Sequence, residues 1–182
     1  MPLISRLLKQ IPYKNAVVFC SRKQTVKELT RNLKRAGFNV EEIHSDLEQT
    51  VRENVLTAFA SGRVPLLVAT DIISRGIDID TIDLVVNWDV PGDGEDYVHR
   101  IGRTARAEAE GTAITLISEE EQRKFGDIER LIEKEIEKAP VPEDLGPTPV
   151  YDPQKRSGGP KRGGGQKRKS HQGRSTNGPH RH

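Results

Sequence analysis

The sequence predicts an α/β protein built as an open parallel sheet with helices on both faces, followed by a disordered basic tail. Three observations carry this. Short runs rich in Val, Ile and Leu alternate with helix-length amphipathic stretches through residues 16–138, the pattern of strands joined by covering helices. Those runs are nearly continuous in apolar residues, as strands buried on both faces are. From Asp152 to His182 there is no Val, Ile, Leu, Met, Phe, Tyr or Trp, so that stretch cannot bury enough apolar surface to offset its ordering entropy.

The first strand is expected at 16–20, Ala-Val-Val-Phe-Cys. A helix over 23–36 follows, with Val26, Leu29, Thr30 and Leu33 on one face and Gly37 suited to the left-handed position past its end. Residues 39–43 are the next strand. The helix over 47–61 repeats the plan with Val51, Val55, Leu56 and Phe59 and stops at Gly62. Strands at 66–70, 84–87 and 112–117 complete the sheet. The last helix, 119–138, opens on Ser118 as N-cap with acids at 119–121 facing the helix dipole, and it ends before Pro140. Ligands of such sheets lie beyond the carboxyl ends of the strands. The loops after Cys20, Ile43, Thr70 and Asn87 are therefore where chemistry is sought.

The 182 residues carry 29 Lys plus Arg and 27 Asp plus Glu, but the net charge of +2 hides a division. Residues 151–182 hold nine basic residues and one acid, a net +8, against −6 for the remainder. The tail, not the body, thus supplies long-range attraction for a polyanion. It reads either as an arm that tethers a nucleic acid without reading sequence, lacking aromatic rings for stacking from Asp152 onward, or as a solubilising terminus. We divide the chain into a body at 1–140, a Pro-rich linker at 141–150 and the disordered Gly/Lys/Arg-rich tail at 151–182. Cys20 has no partner cysteine and sits in an apolar run, so it reads as a small core residue. His171, His180 and His182 are too loosely spaced for a metal site, and no metal ligands are assigned. No apolar run approaches the roughly 18 residues that a membrane span needs, and residues 1–15 lack a signal-peptide pattern. The expected location is the cytoplasm, with no membrane partner.

Two stretches concentrate polar residues where ligands are expected. Val68-Ala69-Thr70-Asp71-Ile72-Ile73-Ser74-Arg75-Gly76-Ile77-Asp78-Ile79 follows a buried strand, and Gly76 allows close approach of a backbone or ligand. A plainer reading is a turn in which Asp71 caps a helix and Arg75 pairs with Asp78. Tyr97-Val98-His99-Arg100-Ile101-Gly102-Arg103-Thr104-Ala105-Arg106 places Arg100, Arg103 and Arg106 at every third residue with no acid from Tyr97 to Ala107. In a helical or 3₁₀ turn they share one side and repel one another, which suits an anionic ligand. The alternative is a solvated turn paired with acids such as Glu95 or Asp96.

Together these stretches resemble motifs V and VI of the DEAD-box RNA helicases. Val17-Val18-Phe19-Cys20-Ser21 resembles motif IV, and Gln49-Thr50-Val51-Arg52, shortly after His44-Ser45-Asp46-Leu47, resembles the family's Q-x-x-R element. The resemblance covers about residues 3–140, and the wording HSDLEQ, ATDIISRGIDID and HRIGRTARA is similar to the RhlE-type bacterial branch. It implies a three-layer RecA-like C-terminal lobe that closes over ATP and Mg²⁺ held mainly by an N-terminal lobe, and that grips single-stranded RNA to unwind short duplexes. By the same resemblance Arg103 and Arg106 are catalytic arginine fingers at the γ-phosphate. Gly76 and Asp78 join them at the nucleotide, Asp78 by accepting a hydrogen bond from the ribose. Phe19, Ser21, Arg22, Gln49, Arg52, Thr70, Asp71, Arg75 and Gly76 form the RNA side, while His99 and Arg100 couple the lobes. RNA, the N-terminal lobe and ribosomal or RNA-turnover assemblies are the implied partners. Fixed planar cations are what a transferred phosphoryl group requires, so this agrees with the residue-level reading.

Arg22 stands where motif IV often has Thr, and Ala105 where motif VI more often has Gly. Neither G-x-x-x-x-G-K-[ST] nor D-E-A-D occurs in the chain, so this chain alone is expected to be inactive. Gly163-Gly164-Gly165-Gln166-Lys167-Arg168-Lys169-Ser170 only superficially resembles a phosphate loop: Arg168 replaces the Gly before Lys-Ser, and no strand precedes it. A non-catalytic RNA-binding module with a basic tail is the alternative.

Overall fold

The computed structural model describes residues 1–71, 82–104 and 111–154. The strands are β1 (Ala16–Phe19), β2 (Val40–Ile43), β3 (Leu66–Ala69), β4 (Leu84–Asn87) and β5 (Thr112–Thr115), and the helices are α1 (Pro2–Gln10), α2 (Lys23–Arg35), α3 (Gln49–Ala60), α4 (Gly94–Ile101) and α5 (Gln122–Leu131). They form one sheet in the order β2-β3-β1-β4-β5. All four pairings are parallel; Val18 of β1 lies opposite Val68 of β3 and Val86 of β4. From β1 the chain runs to β2 and β3 on one side, then crosses to β4 and β5 on the other. That reversal lies over the carboxyl ends of the central strands, where open α/β sheets bind ligands.

Alternation explains the continuous apolar runs. Ala16 and Val18 turn to one face, where they pack with Ile4 and Leu8 of α1 and Val26, Leu29 and Leu33 of α2. Val17 and Phe19 turn to the other, joining Ile43, Leu67, Val85 and Phe59 of α3. Cys20 is fully buried, and that burial pushes its thiol pKa up, as suits an inert core residue. Two-sided burial holds for β1, β3 and β4 but not for the edges: Glu41 and Glu42 of β2 are half-buried, and Thr112 and Ala113 of β5 are exposed. An edge strand lacks a neighbour on one side, so it tolerates polar positions.

Helix α1, which the sequence reading does not anticipate, follows from the i, i+4 pair Ile4 and Leu8, both buried against the sheet. On α3 the buried stripe is narrower than predicted, because Val51 is exposed and Phe59 alone is fully buried. The predicted helix over 119–138 is also shorter. A 3₁₀ turn at Glu119–Glu121 leads into α5, which stops at Leu131. The expected N-terminal signal is present: the Glu121 carboxylate accepts from the Ser118 N–H (3.2 Å) and hydroxyl (2.7 Å), and also from the Val90 N–H (3.0 Å).

The early stop has a geometric cause. Helix α2 ends with Gly37 at φ 87°, where the Gly37 and Phe38 amides donate to Lys34 and Leu33 carbonyls. Helix α5 ends the same way, with Glu133 and Lys134 amides donating to Arg130 and Glu129 carbonyls, but the left-handed residue is Glu133 at φ 52°. A side chain there costs about 1 kcal/mol that glycine avoids. Glu133→Gly is therefore expected to raise the unfolding free energy by about 1 kcal/mol in urea denaturation. An unchanged or lower midpoint contradicts the assigned strain.

Beyond this turn the chain folds back. Glu129 accepts the Ile136 N–H (2.8 Å), the Lys138 ammonium and the Tyr151 hydroxyl (2.6 Å). Burial pushes its carboxyl pKa up, but these donors outweigh burial and hold it below the usual range. Arg6 grips Asp144 through two bonds of 2.5 and 2.6 Å, and the Gln122 amide donates to the Val150 carbonyl (2.9 Å) and accepts the Asp152 N–H (2.8 Å). Tyr151 packs edge-on to Phe125 at 6.4 Å. Pro153 covers Gly126, where an added Cβ would stand 2.6 Å from the proline Cβ. Residues 141–154 thus lie as a strap on α5 and the N-terminal helix. The tail predicted as disordered begins at 151, but Tyr151, Asp152 and Pro153 are held by Glu129, Gln122 and Gly126, because Tyr151 supplies an aromatic anchor; from Lys155 onward it lies outside the described residues.

Candidate nucleic-acid and nucleotide interface

The ligand-facing side is assembled at the carboxyl ends of β1, β3 and β4, with α4 behind them. Its centre is Arg100, completely buried. Helix α4 starts at Asp93, whose side chain accepts the Asp96 N–H (2.8 Å), and buries Tyr97 against Phe125 at 5.9 Å. One turn on, that packing turns Arg100 inward. Its Nε and Nη2 donate to the two oxygens of Asp71 at 2.5 and 2.8 Å. Nη1 reaches the Asp89 carbonyl (3.2 Å) and Asn87 Oδ1 (3.4 Å), and Nη2 reaches Ser21 Oγ (3.4 Å). The guanidinium carbon lies 5.6 Å from the Phe19 ring centre.

Arg100 is therefore not part of a row of exposed cations. The sequence spacing suggested three arginines on one side repelling one another, but α4 ends at Ile101 and Arg103 stands on the turn beyond it. The acids that neutralise Arg100 are Asp71 and Asp89, not the neighbouring Glu95 or Asp96. Asp71 binds the arginine; the turn in which it would cap a helix and Arg75 would pair with Asp78 lies outside the described residues. The Arg103 amide donates to the Arg100 carbonyl (3.3 Å), its carbonyl accepts from Ile82 (3.1 Å), and its side chain is half-buried. The Thr104 hydroxyl closes the turn on the Ile101 carbonyl at 2.8 Å. His99 is exposed on α4. Arg75, Gly76, Asp78 and Arg106 lie outside the described residues.

On the side expected to face RNA, Ser21 has both donors engaged by Asp89: its N–H lies 3.0 Å from each carboxylate oxygen, and its hydroxyl donates at 2.6 Å. Arg22 is exposed at the N-cap of α2. Phe19 is buried beneath Arg100. Gln49 and Arg52 meet within the first turn of α3, Arg52 Nη2 donating to Gln49 Oε1 at 2.7 Å, as their i, i+3 spacing dictates. Thr70 is 9% exposed, its amide donating to Ile43 (3.2 Å). The Thr70 hydroxyl and Arg52 Nε are buried without a hydrogen-bond partner in this structure.

Residues that the sequence reading did not select complete this side. Asp89 is the principal one. Asp46 bridges Lys23 (2.7 Å) and Lys27 (2.8 Å), which hold its carboxyl pKa down at about 2. His44 is 2% exposed, and its Nδ1 accepts the Asp46 N–H at 3.2 Å. Only the short interval from His44 to Asp46 offered a local signal. Among the described residues no cluster of three His, Cys, Asp or Glu side chains forms a metal site, and no helix is long and apolar enough to cross a membrane.

A five-stranded parallel sheet whose first, third and fourth strand ends are tied together through a buried arginine is an open α/β domain, and comparison narrows its class. Residues 1–108 match the helicase conserved C-terminal domain. ATP-dependent RNA helicase DBP8 of Lodderomyces elongisporus is 43% identical over 136 residues, 74% of this chain and 31% of that protein. Among solved structures, the Escherichia coli DEAD-box protein SrmB bound to regulator of ribonuclease activity A is 39% identical, with TM-score 0.74 and coverage of 83% of this chain and 88% of that one. Saccharomyces cerevisiae Dbp5 bound to RNA and ADP BeF3 is 31% identical at TM-score 0.67, covering 71% of this chain and 35% of that one. The chain belongs to the helicase C-terminal domain family of the DEAD-box RNA helicases. It spans less than a third of the curated relative's length.

Proposed function

We propose that this chain works as the C-terminal half of an ATP-dependent DEAD-box RNA helicase, closing over ATP held by an N-terminal lobe and gripping single-stranded RNA to unwind short duplexes. The observation that carries this reading is the Arg100 network, which links the three stretches resembling motifs IV, V and VI at the carboxyl ends of the central strands. In this reading Arg103 and Arg106 meet the γ-phosphate and Asp78 meets the ribose beside Gly76, with Mg²⁺ neutralising the phosphates from the other lobe. Phe19, Ser21, Arg22, Gln49, Arg52, Thr70, Asp71, Arg75 and Gly76 support or contact RNA. Ser21, whose two donors are both held by Asp89, acts through its neighbours. His99 works at the exposed lobe interface, and buried Arg100 couples from within.

RNA and an N-terminal lobe are the proposed partners, in the cytoplasm, with ribosomal or RNA-turnover assemblies as the setting; Dbp5 bound to RNA and SrmB bound to a ribonuclease regulator support these partner classes. Assignment to the RhlE-type branch rests on sequence wording alone, since the matched relatives carry other branch names. The proposed division keeps a body at 1–140, a connecting segment at 141–150 and a basic tail from 151. The docked Tyr151 and Pro153 argue for making any tail truncation after Gln154. The test joins this chain to a DEAD-box N-terminal lobe. RNA-stimulated ATP turnover is expected in the joined protein and not in the chain alone, because the Walker and D-E-A-D sequences are absent from it. Turnover by the chain alone, or none in a folded joined protein, rejects the proposal.

A further inference from the structure

We infer that Asp89 is a positioning residue for the RNA side: its carboxylate locks the loop between β1 and α2 through Ser21, while its backbone holds the same arginine that Ser21 touches. This deepens the RNA reading above and rests on it. The carboxylate accepts from the Ser21 amide at 3.0 Å to each oxygen and from the Ser21 hydroxyl at 2.6 Å. The Asp89 carbonyl accepts from Arg100 Nη1 at 3.2 Å, and a carboxylate oxygen lies 3.7 Å from the same nitrogen. Asp89 is itself held close to β1, since the preceding Trp88 amide donates to the Phe19 carbonyl at 2.9 Å.

The lock matters because the other ties of the turn into α2, from Lys23 and Lys27 to Asp46 and from the Val26 amide to the Arg22 carbonyl, act from the helix and leave the segment before Arg22 to Asp89. Arg22 occupies the N-cap with φ −125° and ψ 133°, and its side chain makes no capping bond; the first turn carries no acid. The direction in which exposed Arg22 projects is set by the residue before it. Ser21 has no remaining donor with which to bind a phosphate, so its contribution is to hold that direction. Charge-assisted bonds to a carboxylate are strong enough to do this even at a partly exposed loop. Two links of one residue, to Ser21 and to Arg100, make the RNA-side loop and helix α4 share a common anchor.

The test uses the 182-residue chain with a fluorescent oligouridylate across a salt series, alongside amide hydrogen exchange. Asp89→Ala is expected to weaken binding by about five- to tenfold and to speed Ser21 amide exchange by about tenfold, with the slope of log K on log salt flattening by no more than about 0.7, the change that complete loss of the Arg22 contact gives. Asp89→Asn keeps one good acceptor and is expected to recover part of both effects. Ser21→Ala retains the amide bond and is expected to lose less. Arg22→Gln, in contrast, is expected to flatten the salt slope by about 0.7. Unchanged Ser21 exchange in a folded Asp89→Ala chain overturns the lock, and affinity within twofold of wild type overturns its role at RNA. A wild-type chain that fails to bind the oligonucleotide rejects the RNA reading, while the exchange measurement still decides the lock.

Discussion

Replacing Arg103 or Arg106 with alanine, in the chain joined to an N-terminal lobe, is expected to lower RNA-stimulated ATP turnover by about 10³-fold or more, the low end for an arginine supplied to a transferring phosphoryl group. Charge on that group grows toward the transition state, and a cation held on a rigid turn meets it without reorganisation. The turn bearing Arg103 is rigid for visible reasons. Its backbone is bonded to Arg100 on one side and Ile82 on the other, and the Thr104 hydroxyl closes on Ile101. Loss of transition-state stabilisation falls on kcat and kcat/KM together, leaving ATP affinity comparatively unchanged. Lysine at either position is expected to restore little, because an ammonium lacks the planar fork. Turnover within tenfold of wild type in both variants means that the nucleotide meets another face. A raised KM at unchanged kcat assigns these arginines to ground-state binding only.

Arg100→Met is expected to destabilise the folded domain by about 3 kcal/mol, which for a domain of this size lowers Tm by roughly 6 to 12 °C. Arg100 is fully buried, and its removal leaves Asp71 and Asp89 without their common partner. The two carboxylates remain 29% and 23% exposed, so water moderates the penalty and places it at the low end of values for a broken buried pair. The second variant separates charge from packing. Arg100→Met with Asp71→Asn removes one of the two carboxylates that lose the arginine and is expected to recover about 1 kcal/mol. Urea denaturation followed by circular dichroism measures both. A loss below about 1 kcal/mol for the single variant would show that solvent already satisfies these acids.

The sheet was legible in the sequence because the forces behind it are local and repeat at short range. Ala16 to Phe19 and Leu66 to Ala69 announce two-sided burial in their own composition, and Gly37 and Gly62 announce left-handed helix ends, observed at φ 87° and 72°. Motif resemblance reached further and identified the polar ends of the strands. It did not reveal which charges meet. The 100/103/106 spacing suggested mutual repulsion, whereas Arg100 is neutralised by Asp71, 29 residues earlier, and shares Asp89 with Ser21. Glu133 gave no signal either, since a left-handed glutamate is set by chain reversal onto Glu129 and not by propensity. Sequence alone determined the parallel α/β architecture, the helix ends marked by glycine, the division of charge and the DEAD-box resemblance. Only the tertiary structure decided that Arg100 is an internal tie, that Asp89 anchors the loop at Ser21, and that residues 141–154 strap back onto α5. The physical reason is that a charged side chain takes whichever partner the strand order β2-β3-β1-β4-β5 brings within hydrogen-bond reach. That order joins residues 68 positions apart, beyond the range of any local pattern.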